Sequence, residues 1–275
     1  MEKIRDISRL EEIARLVRID VVTMLNAAGS GHTGGSLSAT DLMVALFFGK
    51  INCDPFNPLW VLRDRFVLSK GHAAPAYYAI LARLGYFDRE ELINLRKFGS
   101  CLQGHPDCNA TPGVEICSGS LGQGLSVANG MALAARLDNL PVRVYVLLGD
   151  GEAQEGQVWE AAMSTPHFKL HNVTALLDNN RLQIDGKVED IMSIEPLAKK
   201  WEAFGWHTQQ IDGHNMAHIL EALDAAAAVT DRPSIIIAST VKGKGVSIFE
   251  NKVEYHGVAP TDAELAIALK ELGAV

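Results

Sequence analysis

The sequence contains no long hydrophobic run and no excess of basic residues. No stretch approaches the roughly 18 consecutive apolar residues of a membrane-spanning helix. Lys and Arg together number 25 against 33 for Asp and Glu, a net charge of −8, and this acidic balance argues against a nucleic-acid partner. Residues 1–8 are charged where a signal peptide would need an apolar segment, so we expect a cytoplasmic protein that does not bind membranes.

Cysteine is scarce as well. The four cysteines, at positions 53, 101, 108 and 117, form no C-x-x-C pair and are too few for a disulfide scaffold in a chain of 275 residues. We therefore expect four reduced thiols that are buried for structural reasons.

Two common nucleotide-binding patterns are missing or incomplete. Each Gly-Lys pair, at Gly49, Gly186 and Gly243, is followed by Ile, Val or Gly where a P-loop needs Ser or Thr. A G-x-G-x-x-G run spans residues 29–34, but a helix is predicted before it, whereas a dinucleotide site requires a strand there. The sequence therefore predicts neither a P-loop ATPase nor a Rossmann-type enzyme.

The apolar residues that are present form alternating strand and helix patterns. Hydrophobic residues make up 48% of the chain and charged residues 21%, proportions typical of a globular protein. Short runs that are almost wholly apolar indicate strands covered on both faces, and the helical patterns between them indicate βαβ units. We predict strands at 66–68, 142–148, 173–177 and 234–238, and helices at 7–28, 73–84, 125–137 and 219–229.

These patterns predict an α/β fold with a parallel central sheet and helices on both faces. No repeat, linker or low-complexity segment divides the chain, so we expect one domain over residues 1–275. Residues 98–120 form a long stretch without clear periodicity, and such a loop in a compact domain usually has a function.

A glycine-flanked carboxylate follows one of the predicted strands. The run 142–148 leads into Gly-Asp-Gly at 149–151, and the next apolar run leads into Asn-Asn at 179–180. Ligands bind beyond the carboxyl ends of the strands in open parallel sheets, so adjacent strands would place the Asp150 carboxylate beside an Asn amide oxygen. Either motif alone is more often a turn or a loop. Together they favour a cation site, since oxygen ligands suit Mg²⁺ or Ca²⁺ and leave room for phosphate oxygens.

Six further segments accompany these two motifs along the chain. In chain order they are Ser-Gly-His at 30–32, Ser-Lys-Gly-His-Ala-Ala-Pro-Ala at 69–76, Gln-Gly-His-Pro at 103–106, Gly-Ser-Leu-Gly-Gln-Gly at 119–124, Asp-Gly-His at 212–214 and Tyr-His-Gly-Val-Ala-Pro at 255–260. With the Gly-Asp-Gly and Asn-Asn motifs they resemble the amino-terminal, diphosphate-binding domain of transketolase, a thiamine-diphosphate enzyme. The resemblance covers almost the whole chain.

The resemblance implies how the cofactor and its metal ion would be held. Asp150 and Asn180 match the metal ligands, for Mg²⁺ or for Ca²⁺ or Mn²⁺ in its place, and Leu182 matches a position that adds its backbone carbonyl. Ser120 stands where single-chain members usually have Pro. The cofactor-binding residues implied in this way are His72, Gly119, Ser120, Leu121, Gly151, Glu155, Asn180 and His256.

The resemblance also implies catalytic residues. His32 and His256 match histidines near the C3 hydroxyl of the donor ketose, and His105 matches one near its C1 hydroxyl. Breaking the C2–C3 bond requires a proton to leave the C3 hydroxyl, and a histidine whose pKa is near neutrality can accept and return it. Glu155 matches a glutamate that interacts with a carboxylate of the partner domain. Its alternative role is to stabilise a helix N-terminus as an acidic first-turn residue.

Finally, the resemblance implies a second polypeptide. In transketolase, the glutamate that activates the aminopyrimidine and the arginines that bind the sugar phosphate lie in later domains, whereas this sequence ends at Val275. We expect the amino-terminal subunit of a split transketolase, which transfers a two-carbon ketol unit between sugar phosphates, by default pentose phosphates. Its partner would be a carboxyl-terminal subunit that carries the pyrimidine-binding domain, in a heterotetramer with two copies of each. Apolar surface residues should be exposed in the lone subunit.

Two other functions are left open by the sequence. One is another thiamine-diphosphate activity, such as 1-deoxyxylulose-5-phosphate synthase, although its histidine-containing loops differ from the segment at 70–75. The other is a non-catalytic regulatory subunit that binds the cofactor, against which the full set of substrate-facing histidines argues.

Overall fold

A parallel sheet of five strands runs through residues 3–275, the part of the chain that the computed structural model describes. All four pairings between neighbouring strands are parallel, so the predicted parallel sheet is confirmed. The strands, in spatial order, are β1 (Arg65–Leu68), β2 (Val144–Gly149), β3 (Val173–Asn179), β7 (Ser234–Ser239) and β6 (His207–Asp212). A small antiparallel pair, β4 (Leu182–Gln183) and β5 (Gly186–Lys187), follows β3.

Nine α-helices lie among the described residues. In chain order they are α1 (Ile7–Ala28), α2 (Thr33–Gly49), α3 (Ala74–Leu84), α4 (Gly124–Leu137), α5 (Gly156–His167), α6 (Val188–Met192), α7 (Leu197–Ala203), α8 (Met216–Ala228) and α9 (Asp262–Glu271). Across residues 3–275, no helix is both long enough and apolar enough to cross a bilayer.

Helices cover both faces of the sheet, as predicted. Successive strand side chains point to opposite faces, so Tyr145 and Leu147 join one hydrophobic cluster while Val146 and Leu148 join another. The first face is covered by α1, α2, α3 and α8, and the second face by α4, α5 and α7. The strands are therefore buried on both sides, which explains their continuous apolar runs.

The G-x-G-x-x-G run at 29–34 lies between two helices. Gly29 ends α1 in a left-handed conformation, with φ of 63°, and α2 begins at Thr33. No strand precedes the run, which confirms that it is not a Rossmann motif. All 17 residues of α2 are buried, and this helix was not predicted because it has no polar face that would produce a stripe.

Candidate active site

The predicted site residues gather at one edge of the sheet, where β1, β2, β3 and β7 end. In the register of the sheet, Gly149 lies opposite Asp178, and Asn179 lies opposite Ser239. A cavity of about 160 Å³ opens at this edge. A larger surface groove of about 1330 Å³, near Tyr86 and Arg89, contains none of the predicted residues. The cavity is lined by the predicted residues His72, Leu121, Asp150, Gly151, Asn180, Leu182 and His256, and by Lys70, Glu152 and Lys242 among others.

The three predicted metal ligands lie together at the ends of β2 and β3. The Asp150 carboxylate accepts hydrogen bonds from the backbone N–H groups of Gly151, at 2.7 Å, and of Arg181. The Asn180 amide oxygen accepts one from the backbone N–H of Leu182 at 3.1 Å. Burial, together with the negative charge of Asp178, raises the pKa of Asp150 to about 6. A carboxylate, an amide oxygen and a backbone carbonyl form a donor set that suits a hard divalent cation.

Lys242 is a site residue that the sequence analysis missed. Its ammonium is buried and donates hydrogen bonds to the carbonyl oxygen of Leu182 at 3.2 Å and to Nδ1 of His256 at 2.9 Å. Burial and the nearby charge of Lys70 lower the pKa of Lys242 to about 8. Because Lys242 follows the carboxyl end of β7, the same strand-end rule that singled out Asp150 could have found it.

Asp178 connects three segments of the chain beside the cavity through its side-chain contacts. Its carboxylate forms a buried ion pair with Lys70 and accepts hydrogen bonds from the hydroxyls of Ser38, at 2.6 Å, and Thr240. Burial alone would raise the pKa of Asp178, but the charge of Lys70 and these hydrogen bonds lower it below its usual value. The carboxylate is therefore ionised and fixes the floor of the site.

Glu152, also missed from the sequence, joins the cavity to the start of α4. Its carboxylate accepts hydrogen bonds from the Ser69 hydroxyl, from the backbone N–H of Gly122 at 2.9 Å and from that of Gly149 at 3.0 Å. Burial raises the pKa of Glu152. These contacts connect the ends of β1 and β2 to the loop that carries the predicted residues Gly119, Ser120 and Leu121.

Four histidines form a cluster, and two of them, His72 and His256, line the cavity. The ring of His32 lies 5.4 Å from that of His72, 5.9 Å from that of His105 and 5.7 Å from that of His256, between ring centroids. His72 and His256 are 5.3 Å apart. Four positions spread over more than 200 residues of sequence therefore form one group with His32 at its centre, whereas His105 is the exposed member.

The histidine cluster is held in the neutral state. Burial is the largest cause, and it lowers the pKa of all four residues. With Arg96 nearby, the pKa of His32 falls to about 4, and with Lys242 nearby, that of His256 falls to about 3. This differs from the predicted titration near neutrality, because the sequence does not show how deeply the rings are buried. Neutral rings can accept protons, and the buried Nδ1 of His32 has no hydrogen-bond partner among the described residues.

The loop at 119–121 approaches the histidines so closely that it requires glycine. Gly119 has φ of +136°, and a Cβ atom there would lie 3.0 Å from Cγ of His105. A Cβ atom on Gly71 would lie 2.7 Å from the backbone nitrogen of Gly119. Leu121 lines the cavity, whereas Ser120 is exposed. Glycine is therefore required at positions 71 and 119 for the backbone to approach this closely.

Glu155 does not line the cavity. It is exposed and occupies the N-cap position of α5, but its side chain makes no capping hydrogen bond. Its predicted contact with a partner carboxylate stays a prediction.

Two features of the surrounding structure correct or complete the sequence analysis. The expectation that all cysteines are buried is wrong for Cys108 and Cys117, which are exposed because the loop at 98–120 lies on the surface. His214 lies in the turn after β6. Its Nδ1 is 2.7 Å from the Asp41 carboxylate, and its Nε2 accepts a hydrogen bond from the backbone N–H of Val241 at 2.8 Å. It thereby positions the segment that carries Lys242.

Comparisons with known proteins identify the family. The family described as transketolase, thiamine diphosphate binding domain, matches residues 9–275. The chain belongs to the transketolase family. It is 45% identical over 263 residues to a 6-deoxy-6-sulfo-D-fructose transketolase subunit of Clostridium sp. (strain MSTE9), with 96% of each chain covered. It is 41% identical to an apulose-4-phosphate transketolase subunit of Phocaeicola vulgatus, with 92% of this chain and 89% of the relative covered.

Solved transketolase structures agree with this assignment. The crystal structure of transketolase from Campylobacter jejuni matches with a TM-score of 0.92 and 34% identity over 98% of this chain. The match covers 43% of the Campylobacter chain, so this transketolase chain spans less than half of that protein. The predictions of the transketolase family, of a thiamine-diphosphate-binding domain and of its amino-terminal subunit are confirmed.

Proposed function

We propose that this chain is the amino-terminal subunit of a two-subunit transketolase, which transfers a two-carbon ketol unit between sugar phosphates with thiamine diphosphate and Mg²⁺. The observation that carries the proposal is the presence, in one cavity, of an oxygen-donor set together with His72 and His256, which belong to a cluster of four neutral histidines. The first suits a metal–diphosphate group, and the second suits proton transfer at sugar hydroxyls.

The residues at the end of β2 and β3 would hold the metal ion and the diphosphate. Asp150 and Asn180 provide side-chain oxygens for Mg²⁺, and Leu182 provides its carbonyl. Since Lys242 now donates to that carbonyl, a metal ion bound there would free the ammonium to pair with an anion. His72 lines the same cavity and would donate a hydrogen bond to a phosphate oxygen, as would the backbone N–H of Gly151 if the metal ion took its present acceptor, the Asp150 carboxylate.

The histidine cluster would accept and return protons of the substrate's hydroxyl groups. Bound thiamine diphosphate supplies the electron sink that cleavage of a ketose carbon–carbon bond requires. His32 and His256, both neutral, would accept the proton of the C3 hydroxyl and return it to the product. His105 is exposed at the mouth of the cluster and would orient the C1 hydroxyl.

The partner and the substrates are part of the same proposal. Two relatives that match nearly the full length of this chain are named as transketolase subunits, which supports a separate partner carrying the pyrimidine-binding half, in a heterotetramer. Those relatives are named for 6-deoxy-6-sulfo-D-fructose and apulose-4-phosphate. We therefore propose an anionic ketose donor, with pentose phosphates tested first and these two sugars beside them.

The test is co-purification followed by a ketol-transfer assay. With thiamine diphosphate and Mg²⁺ present, the tagged chain should recover a stoichiometric partner, and only the complex should transfer the two-carbon unit. Transfer by the purified chain alone would contradict the need for a partner. A chain that binds the cofactor yet forms no active complex would support the regulatory alternative.

Asp150→Ala tests the metal assignment in the assembled enzyme. Loss of the carboxylate should abolish Mg²⁺-dependent binding of thiamine diphosphate, measured by calorimetry, because it removes a charged ligand. Asp185→Ala, at an exposed cavity-lining position, is the matched control. Affinity within a few-fold of the unmodified enzyme for Asp150→Ala would contradict the assignment.

A further inference from the structure

Two exposed thiols meet in the loop at 98–120. The sulfur atoms of Cys108 and Cys117 are 3.3 Å apart, and both side chains are accessible to solvent. A disulfide bond is about 2 Å long, so bonding requires the two sulfurs to approach by about 1 Å. By contrast, Cys53 is buried and Cys101 is half-buried.

The backbone around the two thiols holds them in this arrangement. The backbone N–H of Ser118 donates a hydrogen bond to the carbonyl of Pro106 at 3.1 Å, which closes the base of the loop. The Cys117 thiol donates to the Asp107 carboxylate at 3.2 Å. The thiols are therefore neighbours because the loop is closed beside them, and a bond between them requires a movement of only about 1 Å.

We propose that Cys108 and Cys117 form a reversible dithiol–disulfide site that reacts with small-molecule disulfides of the glutathione type. The thiolate of one cysteine attacks the small disulfide, whose sulfur–sulfur bond breaks, so that a mixed disulfide forms and one thiolate leaves. The second cysteine, as its thiolate, then attacks the protein sulfur of the mixed disulfide and expels the other small thiolate. Two protein thiols are oxidised, one small disulfide is reduced to two thiols, and the two protons pass to those thiols.

The two thiols lie, along the chain, between two residues of the proposed active site. His105 is three positions before Cys108, Gly119 is two positions after Cys117, and a Cβ atom on Gly119 would lie only 3.0 Å from the His105 ring. A bond that draws Cys108 and Cys117 together will shift both ends of this loop. We therefore expect oxidation to lower ketol transfer about tenfold, since displacements of this size at a catalytic group slow reactions strongly. This second statement rests on the proposed function, whereas the thiol chemistry does not.

The experiment treats the chain with oxidised glutathione and measures its intact mass. The variant Cys53→Ser/Cys101→Ser retains only the proposed pair and should lose two hydrogen atoms without retaining glutathione, a change that dithiothreitol reverses. Adding Cys117→Ser should leave one stable glutathione adduct on Cys108, because no second thiol can displace it. Peptide mapping of the oxidised unmodified chain gives the same information if the double variant does not fold.

Three outcomes would overturn the proposal of a disulfide site. They are no reaction, a persistent glutathione adduct on the intact pair, and protection of both thiols by Zn²⁺ with no disulfide formed on oxidation, which would indicate a metal site with Asp107 instead. Ketol transfer by the oxidised and reduced complex tests the coupling separately, with Cys108→Ser/Cys117→Ser as the control because it can form neither a disulfide nor an adduct at this site. A disulfide that leaves the transfer rate unchanged overturns the coupling alone. A complex inactive even when reduced contradicts the proposed function and leaves the thiol result standing.

Discussion

The two faces of the sheet are covered in different ways. On the first face, α2 is buried along its whole length beneath α1, α3 and α8. On the second face, α4, α5 and α7 cover the strands, and α4 has an apolar stripe that is exposed to solvent. The stripe consists of the exposed residues Val127, Gly130, Ala134 and Leu137, which are spaced by three and four positions. The helix next to the first face is therefore buried by other helices of the same chain, whereas on the second face apolar side chains of α4 are exposed to solvent. Exposed apolar surface of this kind is typical of a site that binds a partner.

The largest effect is expected when the buried ion pair between Lys70 and Asp178 is broken. Lys70→Met removes the partner of Asp178, and the two side chains are 1% and 0% exposed. An uncompensated buried carboxylate should cost about 3–5 kcal/mol of unfolding free energy, measured by urea denaturation. Lys187→Met, which removes an exposed pair with Glu189, is the control and should cost less than about 0.5 kcal/mol. Similar losses for both variants would contradict the buried pair.

The same substitution on each face compares them directly. Leu42→Ala, in the buried helix α2, should lower the unfolding free energy by about 2–5 kcal/mol, because it leaves a cavity. Leu137→Ala, at a side chain 80% exposed on α4, should change it by less than about 0.5 kcal/mol in the isolated chain. A large loss at Leu137 would show that the second face is packed within the chain after all.

Gly130→Trp tests whether the stripe meets the partner. A Cβ atom at Gly130 has no atom within 4 Å, so the isolated chain should fold normally. In the mixture with the partner subunit, the large side chain should weaken assembly at least about tenfold, or about 1.4 kcal/mol, as measured by native mass spectrometry. Gly130→Ala serves as the control. Unchanged assembly by the Trp variant would exclude the stripe from the subunit interface.

A further expected effect is acid sensitivity at the histidine cluster. The pKa of His32 is about 4 in the folded chain, against about 6.5 when unfolded. The unfolded chain therefore binds more protons, so the stability linked to this residue is complete above about pH 6.5 and is lost as the pH falls towards 4. Urea midpoints across this range should fall less steeply for His32→Gln. An identical slope would show that His32 is not held neutral by burial.

The sequence was sufficient to predict the strands that are buried on both faces, because such strands consist almost wholly of apolar residues. The inner strands are covered on both faces, and their apolar runs predicted β2, β3 and β7 to within about two residues at each end. Helix α2 was missed because it is buried on every side and so lacks a polar face. Strand β6 was missed because it is an edge strand whose residues, His207–Asp212, are mostly polar.

Part of the site was predictable because it lies at the ends of strands that the sequence reveals. Asp150 and Asn180 follow recognisable strands, so topology alone places them side by side. Glu152 and Lys242 are charged residues of a kind that usually faces solvent, and only the packing around them shows that both are buried. The exposed thiols of Cys108 and Cys117 could not be predicted either, because their contact depends on how an irregular loop closes.

The hydrogen bonds of Asp178 determine when during folding the cofactor site can exist. The bonds from Ser38, Lys70 and Thr240 span 140, 108 and 62 positions of the chain. Contacts of such long range form late, after the sheet has brought distant segments together. A partly folded chain therefore lacks the cofactor-binding site, so the cofactor cannot act as a template for folding. Its binding energy goes entirely to the native state, and added cofactor should slow unfolding while leaving the folding rate unchanged.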